Sequence, residues 1–223
     1  MNCRQPELII FDFDGTLADT LADIAGAVNS ILASYGLPVF EIDRYRLMVG
    51  NGFSALVAAV LPHERARDQV FKDEFQRLAL QEYERRCLDR TKPYPGMREA
   101  LSTLAGRGIR LAILSNKPDH LLKYMAAALF PDIPFVAVWG NANSRPRKPD
   151  PAAALEICRQ NDIAPEDTAL VGDSGVDMQT ARAAGMIPVG VLYGYRDRQE
   201  LAGAGAEFLV QTPLEIPALF GIG

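Results

Sequence analysis

The chain of 223 residues is 48% hydrophobic and 23% charged, a composition typical of a globular protein with a sizeable apolar core. Its formal net charge of −5 argues against a nucleic-acid-binding protein, which would carry a basic face, and no stretch approaches the roughly 20 apolar residues of a membrane-spanning helix. The first residues show no signal-peptide pattern. The three cysteines, Cys3, Cys87 and Cys158, are far apart and form neither a zinc nor a disulfide pattern. Both observations predict a cytoplasmic location.

The first predicted element is a strand at residues 8–11, a short apolar run typical of a strand buried on both faces. The next stretch shows helical periodicity instead. Apolar residues recur at helical spacing in 24–32, a second apolar run covers 53–61, and a long charged helix is predicted from about 64 to 88. We therefore predict an all-α cap domain at residues 18–91, inserted into a core domain built from residues 1–17 and 92–223.

From residue 97 onward, predicted helices and strands alternate. The helices are expected at 97–107, 118–129, 151–160, 176–184 and 196–201, and the strands at 109–114, 135–138, 168–171, 188–192 and 208–210. Such alternation indicates parallel βαβ units. The sequence therefore predicts an α/β core domain with a doubly wound, parallel, Rossmann-like sheet.

Polar clusters follow four of the predicted strands, where ligands of open α/β sheets bind. They are Asp12 and Asp14, Ser115-Asn116-Lys117, Lys148, and the run from Gly172 to Asp177. Each cluster alone is explained by a turn or a helix cap. Because the carboxyl ends of parallel strands meet at one edge of a sheet, we expect the four clusters to converge on one crevice.

The convergent side chains suit metal-assisted phosphoryl transfer. Asp12, Asp14 and Asp173 supply the oxygen ligands that Mg²⁺ takes alongside water and phosphate. Lys148 supplies a compact positive charge, and Ser115 supplies a hydrogen-bond donor for phosphate oxygens. One aspartate of the first pair would attack phosphorus while the other handles a proton.

The run Asp12-Phe13-Asp14-Gly15-Thr16-Leu17 resembles the first motif of the haloacid dehalogenase superfamily. Ser115, Lys148 and the run from Gly172 to Asp177 resemble its other three motifs, so the resemblance spans essentially the whole chain. It implies a nucleophilic Asp12, a general acid/base Asp14, catalytic assistance from Lys148, and Mg²⁺ bound by Asp12, the backbone carbonyl of Asp14, and Asp173. It further implies that Ser115 and Asn116 bind phosphate, that Asp177 supports Lys148 or the metal site, and that Thr16 supports the site.

Within the superfamily, the acid at Asp14 favours phosphate esters over carbon–halogen or carbon–phosphorus bonds, because an ester leaving group needs a proton. Further segments resemble phosphoglycolate phosphatases and imply hydrolysis of 2-phosphoglycolate: Asp19, 49–52, 115–118 and 193–195. Gly50, Asn51 and Gly52 either present backbone amides to a small carboxylate or form a simple turn between helices. Lys117, Arg145 and Arg147 either assist anion binding or are exposed loop cations that are only solvated, as such residues usually are.

Other functions stay open at this point. A phosphosugar mutase, or a sugar or nucleotide phosphatase of broad specificity, would keep both aspartates. A non-catalytic phosphate-binding regulatory module is the alternative from another class. The expected partner is a small phosphorylated metabolite, bound by a monomer or homodimer whose cap closes over it, with neither nucleic acid nor membrane involved.

Overall fold

A six-stranded parallel sheet forms the centre of the structure, a computed structural model that describes residues 5–142 and 145–222; Cys3 lies outside these residues. The strands are β1 (Leu8–Phe11), β2 (Ala18–Asp19), β3 (Lys92–Pro93), β4 (Arg110–Pro118), β5 (Phe135–Asn141), β6 (Thr168–Gly172), β7 (Ile187–Val191) and β8 (Phe208–Val210). The sheet order is β5-β4-β1-β6-β7-β8, while β2 and β3 form a separate antiparallel pair. The predicted doubly wound parallel sheet is confirmed.

Helices cover both faces of the sheet, because the apolar residues of β1 alternate between two cores. Ile9 and Phe11 face one core, whereas Leu8 and Ile10 face the other. The helices of the described residues are α1 (Leu21–Ser34), α2 (Phe53–Val60), α3 (His63–Arg67), α4 (Gln69–Arg86), α5 (Met97–Gly106), α6 (Asp119–Leu129), α7 (Ala152–Gln160), α8 (Gly175–Ala184), α9 (Arg198–Gly203) and α10 (Glu215–Leu219). None of these helices is long and apolar enough to cross a membrane.

The strand order reverses at β1, which pairs with β4 on one side and with β6 on the other. In this register Phe11 lies opposite both Ile113 and Val171, so the residues that follow these three positions lie side by side at the carboxyl ends of neighbouring strands. The crevice at such a reversal is where open α/β sheets bind ligands. The sheet therefore carries its first and fourth polar clusters to the same place.

Helices α1 to α4 lie between β2 and β3 and form a bundle on the crevice side of the sheet; we call residues 20–91 the cap. The prediction of one helix from 64 to 88 is wrong, since α3 ends and α4 begins at Asp68. The Asp68 carboxylate accepts a 3.1 Å hydrogen bond from the backbone N–H of Phe71. This N-cap stabilises a new helix start and outweighs the helical periodicity around it.

Both connections between the cap and the core pass through one point. Ala18 pairs with Pro93, and Asp19 pairs with Lys92, in the short β2–β3 ribbon. Just beyond it, the fully buried carboxylate of Asp23 accepts hydrogen bonds from the N–H groups of Arg90 and Thr91 and from the Thr91 hydroxyl. One buried carboxylate thus fixes the returning chain to the first helix of the cap.

Candidate active site

Asp12 lies at the carboxyl end of β1, beside the carboxylates that follow β6. Oxygen atoms of Asp12, Asp173 and Asp177 lie within 4.8 Å of one another, and all three residues are buried. This proximity follows from the sheet register, because β1 and β6 are neighbouring parallel strands. The first and fourth predicted clusters therefore meet, although 161 residues separate Asp12 from Asp173.

Lys148 connects two of these carboxylates. Its Nζ lies 2.8 Å from Oδ1 of Asp12 and donates a 2.5 Å hydrogen bond to Oδ1 of Asp177. The loop that carries Lys148 is held by Asn116, whose side-chain amide bonds both the N–H and the carbonyl of Lys148 at 3.0 and 3.1 Å. The same amide donates to the carbonyl of Gly50 in the cap. Asn116 thus positions the lysine loop, while its predicted contact with phosphate stays a prediction.

Both carboxylate oxygens of Asp177 accept hydrogen bonds from neighbouring protein groups. Its second oxygen, Oδ2, accepts from the N–H and the hydroxyl of Ser174, which forms a capping box at the start of α8. Because Oδ1 has its protein partner in Lys148, Asp177 is fixed by protein groups on both of its oxygens.

Asp173 is oriented by its neighbours on two sides. Its Oδ2 accepts a 2.8 Å hydrogen bond from the N–H of Tyr195, and the Thr16 hydroxyl lies 3.4 Å from its Oδ1. Gly15 has a φ of +83°, and a Cβ atom there would lie 2.3 Å from the same carboxylate. The glycine of the first motif is therefore required both by the turn and by the close approach of Asp173.

The electrostatics of the cluster fit a divalent cation. Burial raises the pKa of Asp12 to about 6, although Lys148 opposes the shift, and burial raises the pKa of Asp173 well above its ordinary range. Burial lowers the pKa of Lys148, but Asp12 and Asp177 outweigh it and raise that pKa overall. Three carboxylates against one ammonium leave two negative charges, and carboxylate oxygens are the donors that Mg²⁺ takes.

Asp14 points to a second group of side chains. Its Oδ1 accepts hydrogen bonds from the Thr20 hydroxyl at 2.7 Å and from Nζ of Lys117 at 2.9 Å. Nζ of Lys117 also donates a 2.6 Å hydrogen bond to the hydroxyl of Tyr83, from helix α4 of the cap. The Thr20 hydroxyl lies 3.1 Å from that of Tyr195. Asp14 is thus held from both the core and the cap.

The interpretation of Lys117 as an exposed, solvated loop cation is wrong, since only 2% of its side chain is exposed, while its assistance to anion binding stays a prediction. Strand β4 does not end at residue 114 but continues to Pro118. Lys117 is therefore part of the strand, in the wall of the crevice. The role of Tyr83 was also missed. Tyr83 follows Phe75 and Ala79 at spacings of four residues on the buried face of α4, and this spacing could have indicated it.

The cap and the core enclose a small cavity of about 40 Å³. The described residues of its wall are Asp12, Asp14, Ile24, Val49, Gly50, Gly52, Phe53, Leu56, Tyr83, Ser115, Asn116, Lys117 and Pro118. The wall thus includes the predicted phosphate-binding Ser115 and two of the three predicted cap residues; Asn51 is exposed and lies outside it. Both glycines of this cap loop have positive φ, +118° and +88°.

Comparison with known proteins agrees with this geometry. The profile of the haloacid dehalogenase-like hydrolase family matches residues 9–191. Phosphoglycolate phosphatase from Chromobacterium violaceum is 33% identical over 218 residues, which cover 97% of each chain. Phosphoglycolate phosphatase 1 from Pseudomonas aeruginosa is 34% identical over 202 residues, which cover 89% of this chain and 74% of that one. A solved structure from Lactobacillus delbrueckii subsp. bulgaricus, provisionally named phosphoglycolate phosphatase, has a TM-score of 0.88 at 27% identity and covers 97% of this chain and 99% of its own.

Proposed function

This chain belongs to the haloacid dehalogenase-like hydrolase family, and from that membership we propose that it is a phosphatase that hydrolyses 2-phosphoglycolate to glycolate with Mg²⁺. The observation that carries the proposal is the position of Asp12. Its buried carboxylate lies against Lys148 and Asp173 at the strand-order reversal, while Asp14 faces the same cavity. One carboxylate is available for attack on phosphorus and a second for proton transfer.

In the first step, Asp12 attacks phosphorus, an acyl-phosphate bond forms, and the bond from phosphorus to the ester oxygen breaks. Asp14 gives its proton to the leaving oxygen. In the second step, Asp14 takes a proton from water, which attacks phosphorus and releases Asp12 and inorganic phosphate. Lys148 and the Ser115 hydroxyl are placed to hold the transferring oxygens.

We assign the metal to Asp12 and Asp173, two members of the buried carboxylate cluster, and, as the family resemblance implies, to the backbone carbonyl of Asp14. A bound Mg²⁺ there supplies positive charge that offsets the charge on the phosphoryl oxygens. Asp177 contributes to the site by fixing Lys148, and Thr16 contributes through its hydroxyl beside Asp173. In this proposal Asp12 is the nucleophile, Asp14 the acid/base, Asp12 and Asp173 the metal ligands, and Asp177 the support of Lys148.

The substrate assignment is supported by the names of the curated relatives and by the shape of the cavity. The wall combines one cation, Lys117, with apolar side chains and with the cap glycines, so it suits a short, charged ester better than a nucleotide. A phosphosugar mutase would use the same two aspartates, and a broad sugar phosphatase would use the same cavity. Release of inorganic phosphate without formation of a phosphate isomer would separate hydrolysis from mutase activity.

We also propose that the enzyme acts in the cytoplasm, as a monomer or homodimer, on a small phosphorylated metabolite. Cys87 and Cys158 are both buried and unpaired by disulfide, which suits a reducing compartment. Neither nucleic acid nor membrane has a part in this proposal.

The decisive test is phosphate release from a panel of phosphate monoesters, with Mg²⁺ and with EDTA. We expect 2-phosphoglycolate to give the highest kcat/KM and EDTA to abolish turnover. Asp12→Asn should lower kcat by at least about 10⁴-fold, whereas the control Asp132→Asn, an exposed surface change, should retain wild-type activity. Turnover by Asp12→Asn would exclude Asp12 as the nucleophile. If the wild-type protein turned over none of the esters, a non-catalytic phosphate-binding module would be favoured instead.

A further inference from the structure

We propose that Lys117 is the residue that binds the carboxylate of the substrate, and that Tyr83 of the cap holds its ammonium group in place for this contact. The inference rests on the proposed function, because it concerns the part of 2-phosphoglycolate that does not react. Lys117 of the core domain and Tyr83 of the cap would then favour phosphate esters that carry a carboxylate over esters with an uncharged group in its place.

The first argument is the location of the charge. Lys117 is the one cation among the described residues of the cavity wall, and its side chain is 2% exposed. Lys148, by contrast, is tied to Asp12 and Asp177 beside the reacting phosphorus. An anionic group away from the phosphoryl group therefore finds its complementary charge at Lys117.

The second argument is distance along the substrate. Asp14 must lie at the ester oxygen to deliver a proton there. In 2-phosphoglycolate one methylene carbon joins that oxygen to the carboxylate carbon. Nζ of Lys117 lies 2.9 Å from Oδ1 of Asp14, so the carboxylate is brought to the ammonium group when the ester oxygen meets Asp14. The described contacts occupy two of the three N–H donors of Lys117, and the third is available for the substrate.

The third argument is the part played by the cap. The Tyr83 hydroxyl accepts a 2.6 Å hydrogen bond from Nζ of Lys117, and the same nitrogen lies 4.5 Å from the Tyr83 ring centroid. The Tyr83 ring is stacked on Phe53, which is also in the cavity wall. The ammonium group is therefore fixed from the cap side by a hydrogen bond and a cation–π contact. These contacts orient the ammonium group of Lys117 toward the cavity from the cap side.

The experiment compares two ligands that differ at the group in question, 2-phosphoglycolate and 2-hydroxyethyl phosphate, whose hydroxymethyl group replaces the carboxylate. Calorimetric titration with Mg²⁺ in an Asp12→Asn background gives Kd for both without turnover. We expect Lys117→Met to lower the preference for 2-phosphoglycolate, expressed as the ratio of the two Kd values, by about tenfold or more. Lys117→Arg should keep most of the ratio, because it keeps the charge.

Two further variants guard against misfolding and against a merely structural role. Lys117→Met combined with Asp14→Asn removes both charges of the pair, so that neither is left buried alone. Tyr83→Phe keeps the ring and should lower the ratio by about threefold. Lys123→Met, an exposed lysine on α6, is the matched control and should leave the ratio unchanged.

An equal weakening of both ligands by every Lys117 variant would overturn the inference, because it would show that Lys117 serves only to neutralise Asp14. The inference also fails if the parent protein binds both ligands equally. Failure of the proposed function is a separate result, visible as poor turnover of 2-phosphoglycolate by the enzyme with an intact Asp12, whatever the ratio of Kd values.

Discussion

Lys148 donates a 2.5 Å hydrogen bond to Asp177, and their side chains are only 2% and 0% exposed. Asp177 in turn is fixed by the N–H and hydroxyl of Ser174 at the start of α8. The position of the ammonium group next to Asp12 is therefore set by a helix N-terminus, through one carboxylate. We therefore propose that Asp177 acts on the reaction by way of Lys148.

Asp177→Asn keeps the size of the side chain but removes its charge. We expect kcat to fall by about 10- to 100-fold, as for other residues that orient a group in direct contact with the reaction. Because one partner of a buried ion pair is lost, the free energy of unfolding should fall by about 3 kcal/mol. Steady-state kinetics and urea unfolding measure the two effects, with the exposed Asp132→Asn as control. An unchanged kcat would show that Lys148 needs no support from Asp177.

The stability of the metal-free protein should depend on the ionisation of Asp12. Burial raises the pKa of Asp12 from 3.8 to about 6, so the folded state binds this proton more tightly than the unfolded state. The stabilisation from the bound proton is fully present below about pH 4 and is lost as the pH rises through about 6. Asp12 alone should lower the free energy of unfolding across this window by about 3 kcal/mol. Urea unfolding in EDTA measures this contribution as the part of the pH dependence that Asp12→Asn removes.

The effect of Mg²⁺ on the melting temperature tests the same carboxylates in the metal-bound protein. Because the metal competes with protons for Asp12 and Asp173, Mg²⁺ should raise the melting temperature more at pH 8 than at pH 5. Asp173→Asn should lose most of this rise, while Asp132→Asn keeps it. A rise in melting temperature that is the same at both pH values would contradict a site built from these carboxylates.

Asp14→Asn should affect substrates according to their leaving groups. An alkoxide needs a proton to leave, so kcat for 2-phosphoglycolate should fall by about 10²- to 10⁴-fold. The p-nitrophenolate ion leaves without one, so the first step with p-nitrophenyl phosphate should survive while the second is slow. Rapid-mixing absorbance should therefore show a burst of about one equivalent of p-nitrophenolate per site. Equal losses of the first step for both substrates would argue against Asp14 as the acid.

Asp23→Ala should loosen the connection between the cap and the core. The change leaves the buried donors of Arg90 and Thr91 without their acceptor, and we expect a loss of about 3 kcal/mol in the free energy of unfolding. Trypsin should also cut faster after Arg90, since its backbone is no longer held. The control is Asp89→Ala, a change of a neighbouring exposed residue. Equal rates of cleavage in both variants would contradict the role given to Asp23.

The sequence was sufficient to predict the meeting of Asp12 with Asp173, because both follow apolar strands and the ends of parallel strands converge. The contact of Lys117 with Asp14 was beyond such reasoning. It depends on how far β4 continues past its apolar residues and on the approach of Tyr83 from the cap, neither of which leaves a local pattern. The helix break at Asp68 was missed for a related reason. Within a stretch of helical periodicity, a continuous helix and a new helix start capped by an aspartate differ little in free energy.

The short β2–β3 ribbon has a consequence for how such enzymes diversify. Neighbouring strands lie about 5 Å apart, so the chain leaves the core at Asp19 and returns to it at Lys92 almost where it left. The helices between these residues are an insertion in one loop of the core domain. Their number and length can change without shifting the register of any core strand. The cap that covers the site can therefore change in length and helix number while the strands that carry Asp12 and Asp173 keep their register.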